Sequence, residues 1–159
     1  MTNDFNRRSL IAAFLTASLG QSLAQAAGLN KGDPMNYKNK RDVYQTYLSA
    51  WSPMTEADRK KAVSDATASE IDYLDASGKL KGHDALASHL AGFQKRKPSC
   101  TFSILEFLQH SDVALVTWQM LDPNGGALVK GYDAVKFDAT GRITEITGFS
   151  EIPAQRLDS

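Results

Sequence analysis

Val129-Lys130-Gly131-Tyr132-Asp133-Ala134-Val135-Lys136-Phe137 alternates as a half-buried strand does. Val129, Gly131, Val135 and Phe137 fall on one face; Lys130, Tyr132 and Lys136 fall on the other. Asp133 shares the register of the apolar set. A carboxyl pointing into an apolar interior loses hydration, so it must be paired, hydrogen-bonded or protonated. Such groups concentrate at functional sites, and structural ion pairs produce them too. The strand pattern extends outward on both sides: Thr101 to Gln109, Val113 to Leu121, Leu128 to Phe137 and Ile143 to Ser150 all read as strands. His110-Ser111-Asp112, Asp122-Pro123-Asn124-Gly125-Gly126 and Asp138-Ala139-Thr140-Gly141 separate them with turn chemistry, which predicts antiparallel hairpins.

Helical spacing governs the segment before this sheet. Val43, Tyr44, Tyr47, Leu48 and Trp51 recur on one face of a helix that starts near Arg41 and stops at Ser52-Pro53. Thr55, with Asp58 three residues on, opens a short second helix to about Ser64. A strand over Glu70 to Asp75 and a turn at Ser77-Gly78 lead to a third helix. That helix begins around His83-Asp84, runs through Leu86, Leu90 and Phe93, and ends before Pro98. Helices followed by a long sheet is an α+β order. A curved, mostly antiparallel sheet wrapped over three N-terminal helices would form a cone with an apolar pocket.

Residues 1–26 read as an export signal. Asn6-Arg7-Arg8-Ser9-Leu10-Ile11 has the form of a twin-arginine motif, with a chance Arg pair before an ordinary secretory signal as the alternative. The apolar run from Leu10 to Leu19 is about half of the ~20 residues that span a bilayer, and Ala24-Gln25-Ala26 supplies a small-x-small cleavage pattern. The expected destination is the periplasm or the medium, with no membrane segment in the mature chain. Residues 27–39 are polar and read as a mobile leader, residues 40–152 as one domain, and residues 153–159 as a tail. The 159 residues carry 18 basic and 18 acidic side chains, and no basic patch interleaves with aromatics, so nucleic acid is not an expected partner. Cys100 is the single cysteine, so no internal disulfide forms; it reads as a packing residue.

Two inward registers hold carboxyls. Ile71, Tyr73 and Asp75 share one face of the first strand, with Glu70, Asp72 and Leu74 on the other. Asp75 either caps the turn Ala76-Ser77-Gly78 or serves as a general base beside Asp133. Trp118 falls on the face of Ala114, Val116 and Met120, as pocket wall or core. His89 lies on the apolar side of the third helix, as a core group or a partner for a carboxylate. His83 and His110 are expected to be solvated. The three histidines show no metal-ligand spacing, and there is no phosphate-cradling glycine loop, so neither metal nor organic cofactor is expected.

Asp133 to Ile143, with Phe149 closing the last strand, resembles the C-terminal hairpin of the ketosteroid isomerases and SnoaL-like polyketide cyclases. Tyr73-Leu74-Asp75-Ala76-Ser77-Gly78 and Gly82-His83-Asp84-Ala85-Leu86 resemble that family's turn and helix start. The likeness spans about Arg41 to Glu151 and implies the nuclear transport factor 2 superfamily fold, with a deep apolar pocket for a small apolar ligand or substrate. It implies the general-base aspartate at Asp75, or with a shift of register at Asp72, and the oxyanion-donating acid at Asp133. In the isomerases an apolar site keeps that second acid neutral, so that it can donate a hydrogen bond. The oxyanion tyrosine would fall near Trp51, with Tyr47 one turn earlier as its substitute, and Ala76 stands where the family has proline. Tyr73, Phe93, Trp118, Phe149, Trp51 and His89 are then expected around the pocket. The same resemblance allows a non-catalytic binder, or an association module in which the outer sheet face around Tyr132 pairs two copies as a homodimer.

Overall fold

A computed structural model describes residues 34–151. The export segment 1–26 and the tail 153–159 expected from the sequence lie outside the described residues. Three helices, α1 (Pro34–Ser49), α2 (Glu56–Ala66) and α3 (His83–Arg96), pack on a six-stranded sheet. Its strands are β1 (Thr67–Asp75), β2 (Gly78–Lys81), β3 (Thr101–His110), β4 (Val113–Leu121), β5 (Ala127–Phe137) and β6 (Ile143–Ser150). This is the α+β cone expected from the order of helical and alternating segments.

Local chemistry explains the element ends. α1 starts at Pro34, whose fixed φ suits a first helical turn, so residues 34–39 of the expected leader are helical. The Thr55 hydroxyl accepts from the Asp58 N–H at 3.1 Å and donates to the Asp58 carboxylate at 2.7 Å, which caps α2. Arg59, on α2, is buried and donates to the Ala50 and Ser52 carbonyls just past α1, tying the two helices together. Asp122 and Asp138 each accept several backbone N–H groups of their own turns, closing the β4–β5 and β5–β6 hairpins.

The sheet order is β2-β1-β6-β5-β4-β3; β1 and β6 are parallel, and the remaining neighbours antiparallel. β2 is a four-residue edge strand that the sequence offered only as the end of a turn. Four register shifts interrupt the sheet, one of them between Thr67 and Asp72 in the β1–β6 pair. Leu105, Leu128 and Thr144 are each the extra residue where the register shifts, in β3, β5 and β6. Such bulges bend and twist the strands around the helices.

The alternation of β5 is as the sequence demands: Gly131, Asp133, Val135 and Phe137 are buried, while Lys130, Ala134 and Lys136 are exposed. Val135 and Phe137 join Ile143, Ile146, Ile71, Val116, Leu86, Leu90 and Tyr44 in the apolar core. Burial of each large side chain contributes about 1.5–3 kcal/mol, so this end of the cone is the firmly packed one. Toward the other end of β5, Asp133, Gly131 and Val129 leave the packed core. Asp133 marks that boundary. No described helix is long and apolar enough to cross a membrane.

Candidate active site

Asp133 is 5% exposed, and both its oxygens are engaged. Tyr44, on α1, donates its hydroxyl to Oδ2 at 2.8 Å; Trp118, on β4, donates Nε1–H to Oδ1 at 2.8 Å. Trp118 reaches Asp133 because its cross-strand partner is Gly131. A Cβ at 131 would overlap the six-membered ring of Trp118 and lie 2.5 Å from the Phe149 carbonyl oxygen. The indole therefore occupies space that any larger residue would claim. Burial is the main cause that raises the Asp133 acid from 3.8 to about 6; the Trp118 and Tyr44 hydrogen bonds oppose it, and the charge of Asp75 adds to it. Near neutral pH this carboxyl therefore populates both proton states.

Asp75 closes β1 and does two jobs at once. Its Oδ1 accepts from the Ser77 N–H at 2.7 Å, which caps the turn. Its Oδ2 accepts the Tyr73 hydroxyl at 3.0 Å and lies 3.1 Å from His89 Nε2. Turn capping therefore engages only Oδ1, and Oδ2 meets Tyr73 and His89. Asp75 and Asp133 stand on either side of β6, where Gly148 is paired with Asp133. Two strand spacings put their Cα atoms roughly 10 Å apart.

The space between them is a cavity of about 250 Å³. Asp75 and Asp133 both line it, with Tyr47, Trp51, Tyr73, Phe93 and Trp118 from the expected set. Tyr47 is buried, and its hydroxyl oxygen accepts the Trp51 Nε1–H at 3.0 Å. The neighbouring Tyr44 and Tyr73 hydroxyls donate to Asp133 and Asp75, while the Tyr47 hydroxyl, also beside Tyr73, donates to neither carboxyl. Burial first, and then the Asp133 charge, hold the Tyr44 and Tyr47 phenols well above their ordinary value. Burial, followed by Tyr47 and Asp75, does the same for Tyr73. All three remain neutral donors. Gln94 fixes the roof by donating to the Trp51 and Cys100 carbonyls.

Several expectations need correction. His89 does not line the cavity; it stands behind Asp75, with its ring centroid 5.7 Å from Trp51 and 5.5 Å from Tyr73. Phe149 does line the cavity, at its rim, where it is 58% exposed and pairs with Tyr132 on the outward register. The Thr144 bulge shifts the inward series of β6 from Ile143 to Ile146 and Gly148. His83 is half-buried, 3.2 Å from the Thr67 carbonyl oxygen, and so only partly open to solvent. Asp72 lies on the outer face beside Lys79, so it is not the inward carboxyl.

Tyr44 is the site residue that the sequence did not single out. Its position on the apolar face of α1 was legible; its hydroxyl partner, 89 residues away, was not. Phe102 and Met120 complete the apolar walls. Among the described residues no three His, Cys, Asp or Glu side chains converge as a metal site.

The chain belongs to the SnoaL-like domain family, whose model matches residues 44–146. The fold is that of the nuclear transport factor 2-like superfamily. A SnoaL-like family protein from Agrobacterium tumefaciens, provisionally named an isomerase, is 24% identical, with a TM-score of 0.67 over 72% of this chain and 99% of that one. Proteins provisionally named polyketide cyclases are similar too. The one from Sinorhizobium meliloti is 20% identical, with a TM-score of 0.55 over 67% of this chain and 93% of its own. That from Jannaschia is 12% identical, with a TM-score of 0.59 over 75% and 89% respectively. At these identities the likeness establishes the fold alone. No curated protein matches the chain.

Proposed function

We propose that this protein is an acid/base catalyst of the isomerase, cyclase or hydratase type, acting on a small apolar carbonyl or cyclic substrate without an organic cofactor. The observation that carries the proposal is that Asp75 and Asp133 line one cavity on either side of Gly148. Asp75 removes a proton from the carbon next to the substrate carbonyl. Charge then develops on the carbonyl oxygen, and the O–H of Tyr47 and the protonated form of Asp133 donate to it. Trp51, Phe93, Phe102 and Trp118 exclude water from the reacting atoms.

The test uses small cyclic ketones, cyclohexanone among them, in D₂O, with α-proton exchange followed by NMR. Exchange above the buffer rate is expected, falling by about 10²–10⁴ in Asp75→Asn. Exchange unchanged in both Asp75→Asn and Asp133→Asn sinks the proposal. A second reading, non-catalytic binding of an apolar molecule, is supported by the same apolar walls. An unaltered, stoichiometric molecule co-purifying with the protein would favour it.

We also propose export through the twin-arginine route, on the motif around Arg7 and Arg8. Replacing both with Lys should keep the chain in the cytoplasm; unchanged export removes that proposal. Leu105, Leu108, Val113, Leu115 and Leu128 are exposed, which supports pairing of two copies through the outer sheet face. Sedimentation showing a monomer at high concentration would remove it.

A further inference from the structure

We propose that the cavity also binds small lipophilic organic cations, of the quaternary or tertiary ammonium class, with Asp133 as their counter-charge. This shares with the proposed function only the premise that the cavity is the ligand site, and it does not rest on that chemistry.

Charge segregation inside the domain is the first argument. Among the described residues two carboxyls line the cavity, and no Lys, Arg or His does. Both donors to Asp133, the Tyr44 hydroxyl and the Trp118 indole, are neutral. Among the described residues Asp133 has no ion-pair partner. The basic side chains that are buried go elsewhere. Lys40 donates to the Ser111 carbonyl at 2.7 Å, and Arg59 donates to the Ala50 and Ser52 carbonyls. His89 is engaged with Asp75, behind the cavity wall. When ionised, Asp133 is thus a buried negative charge beside open space, held by two neutral hydrogen-bond donors but by no counter-charge, and a cation would supply one.

The walls supply the second argument. Tyr47, Trp51, Tyr73, Phe93, Phe102 and Trp118 all line the same space. Five of these rings, all but Tyr47, form a continuous series: Trp51 lies 5.2 Å from Phe93, 5.4 Å from Phe102 and 6.4 Å from Tyr73 between centroids, and Phe102 lies 5.4 Å from Trp118. Aromatic rings beside a desolvated cation attract it, and quaternary ammonium groups bind such surroundings without needing a hydrogen bond. An anion would meet two carboxyls and no counter-charge. A cavity of about 250 Å³ holds a small ammonium ion and excludes a polymeric one.

Two probes of equal shape decide the matter: choline, and 3,3-dimethylbutan-1-ol, in which carbon replaces the charged nitrogen. Binding to the intact domain is measured at pH 7.5 by calorimetry, and by the shift of the Trp118 indole N–H in NMR spectra. Choline is expected to bind at least about tenfold tighter than the alcohol, and Asp133→Asn to bring the two within about twofold. Retained alcohol binding shows that the variant is folded and its cavity open. The wild-type comparison stands by itself should the variant not fold. Equal or tighter binding of the alcohol, or no binding of choline, overturns the proposal. Ketone exchange without a choline advantage removes the cation site alone; choline binding without exchange removes the catalytic function alone.

Discussion

Asp133 and Gly148 face each other across β5 and β6, and a Cβ on residue 148 would lie 3.2 Å from Asp133 Oδ1 and 3.7 Å from the Asp75 Cβ. Gly148 is therefore the floor between two carboxyls on the neighbouring strands. Its missing side chain lets both of them open onto the same volume. A second glycine, Gly131, does a different task one strand away: it admits the indole that holds Asp133.

These two glycines should respond differently to alanine. In Gly131→Ala the new Cβ collides with Trp118 and with the Phe149 backbone oxygen, so overpacking of at least about 1–3 kcal/mol is expected, with displacement of the indole from Asp133. In Gly148→Ala the contact is tight but not prohibitive, so stability should fall by less than about 1 kcal/mol. Ligand binding should nevertheless weaken, because the methyl sits between Asp75 and Asp133. Urea denaturation and probe titration of the two variants separate these outcomes. Equal stability losses would show that the indole is not seated on Gly131 as described.

The raised acid of Asp133 has a stability consequence of definite sign. Its folded value, about 6, exceeds the 3.8 of the free group, so the folded state holds the proton more tightly. The associated stability is fully present below about pH 4 and is lost as pH rises through about 6. At about 1.4 kcal/mol per pH unit, the loss is of order 3 kcal/mol. Asp133→Asn resembles the protonated form and escapes it: its amide oxygen can accept from Trp118, and its amide N–H can donate to a rotated Tyr44 hydroxyl. The variant should be more stable than wild type at pH 7.5 and should lose that advantage below about pH 4. Denaturation curves at both pH values check this; a variant less stable at pH 7.5 contradicts it.

Trp118→Phe should push the Asp133 acid higher still, because the lost indole N–H favours the ionised form. A hydrogen bond to a charged group is worth about 1.5–3 kcal/mol, which corresponds to a rise of about one to two pH units. Carbon-13 titration of the Asp133 carboxyl measures it directly. A midpoint that stays near 6 would mean the indole contributes nothing to the ionised carboxylate.

Much of this arrangement was written in local sequence periods. Alternation gave the faces of β1, β4 and β5 and placed Asp75 and Asp133 inward, because a half-buried strand leaves a signal in every second residue. The parity of β6 was not legible, because a single bulge at Thr144 reverses it and Thr is unremarkable as a bulge residue. β2 escaped because a four-residue edge strand buries too little to leave a pattern. The start of α1 was hidden by its polar first turns. The hydroxyl of Tyr44 on Asp133 is a tertiary contact, and helical spacing can place Tyr44 and Tyr47 on one face without saying which of them meets the carboxyl.

That ambiguity between two tyrosines one helical turn apart yields the most discriminating experiment on the site. Tyr44 donates to Asp133 and is fully buried outside the cavity lining; Tyr47 lines the cavity and accepts from Trp51. Tyr44→Phe removes a donor to the ionised carboxylate, so it should raise the pH midpoint at which Asp133 titrates, and any catalytic midpoint with it. Tyr47→Phe leaves both Asp133 donors in place, so that midpoint should remain near 6. It should instead lower the rate of ketone exchange by about 10²–10³, the usual effect of deleting one oxyanion donor. The stability cost of orphaning the Trp51 N–H should be only about 1–3 kcal/mol. Rate–pH profiles of the two variants read both quantities at once. Should Tyr44→Phe lower the rate without moving the midpoint, or Tyr47→Phe move the midpoint without lowering the rate, the assigned roles of the two hydroxyls would have to be exchanged.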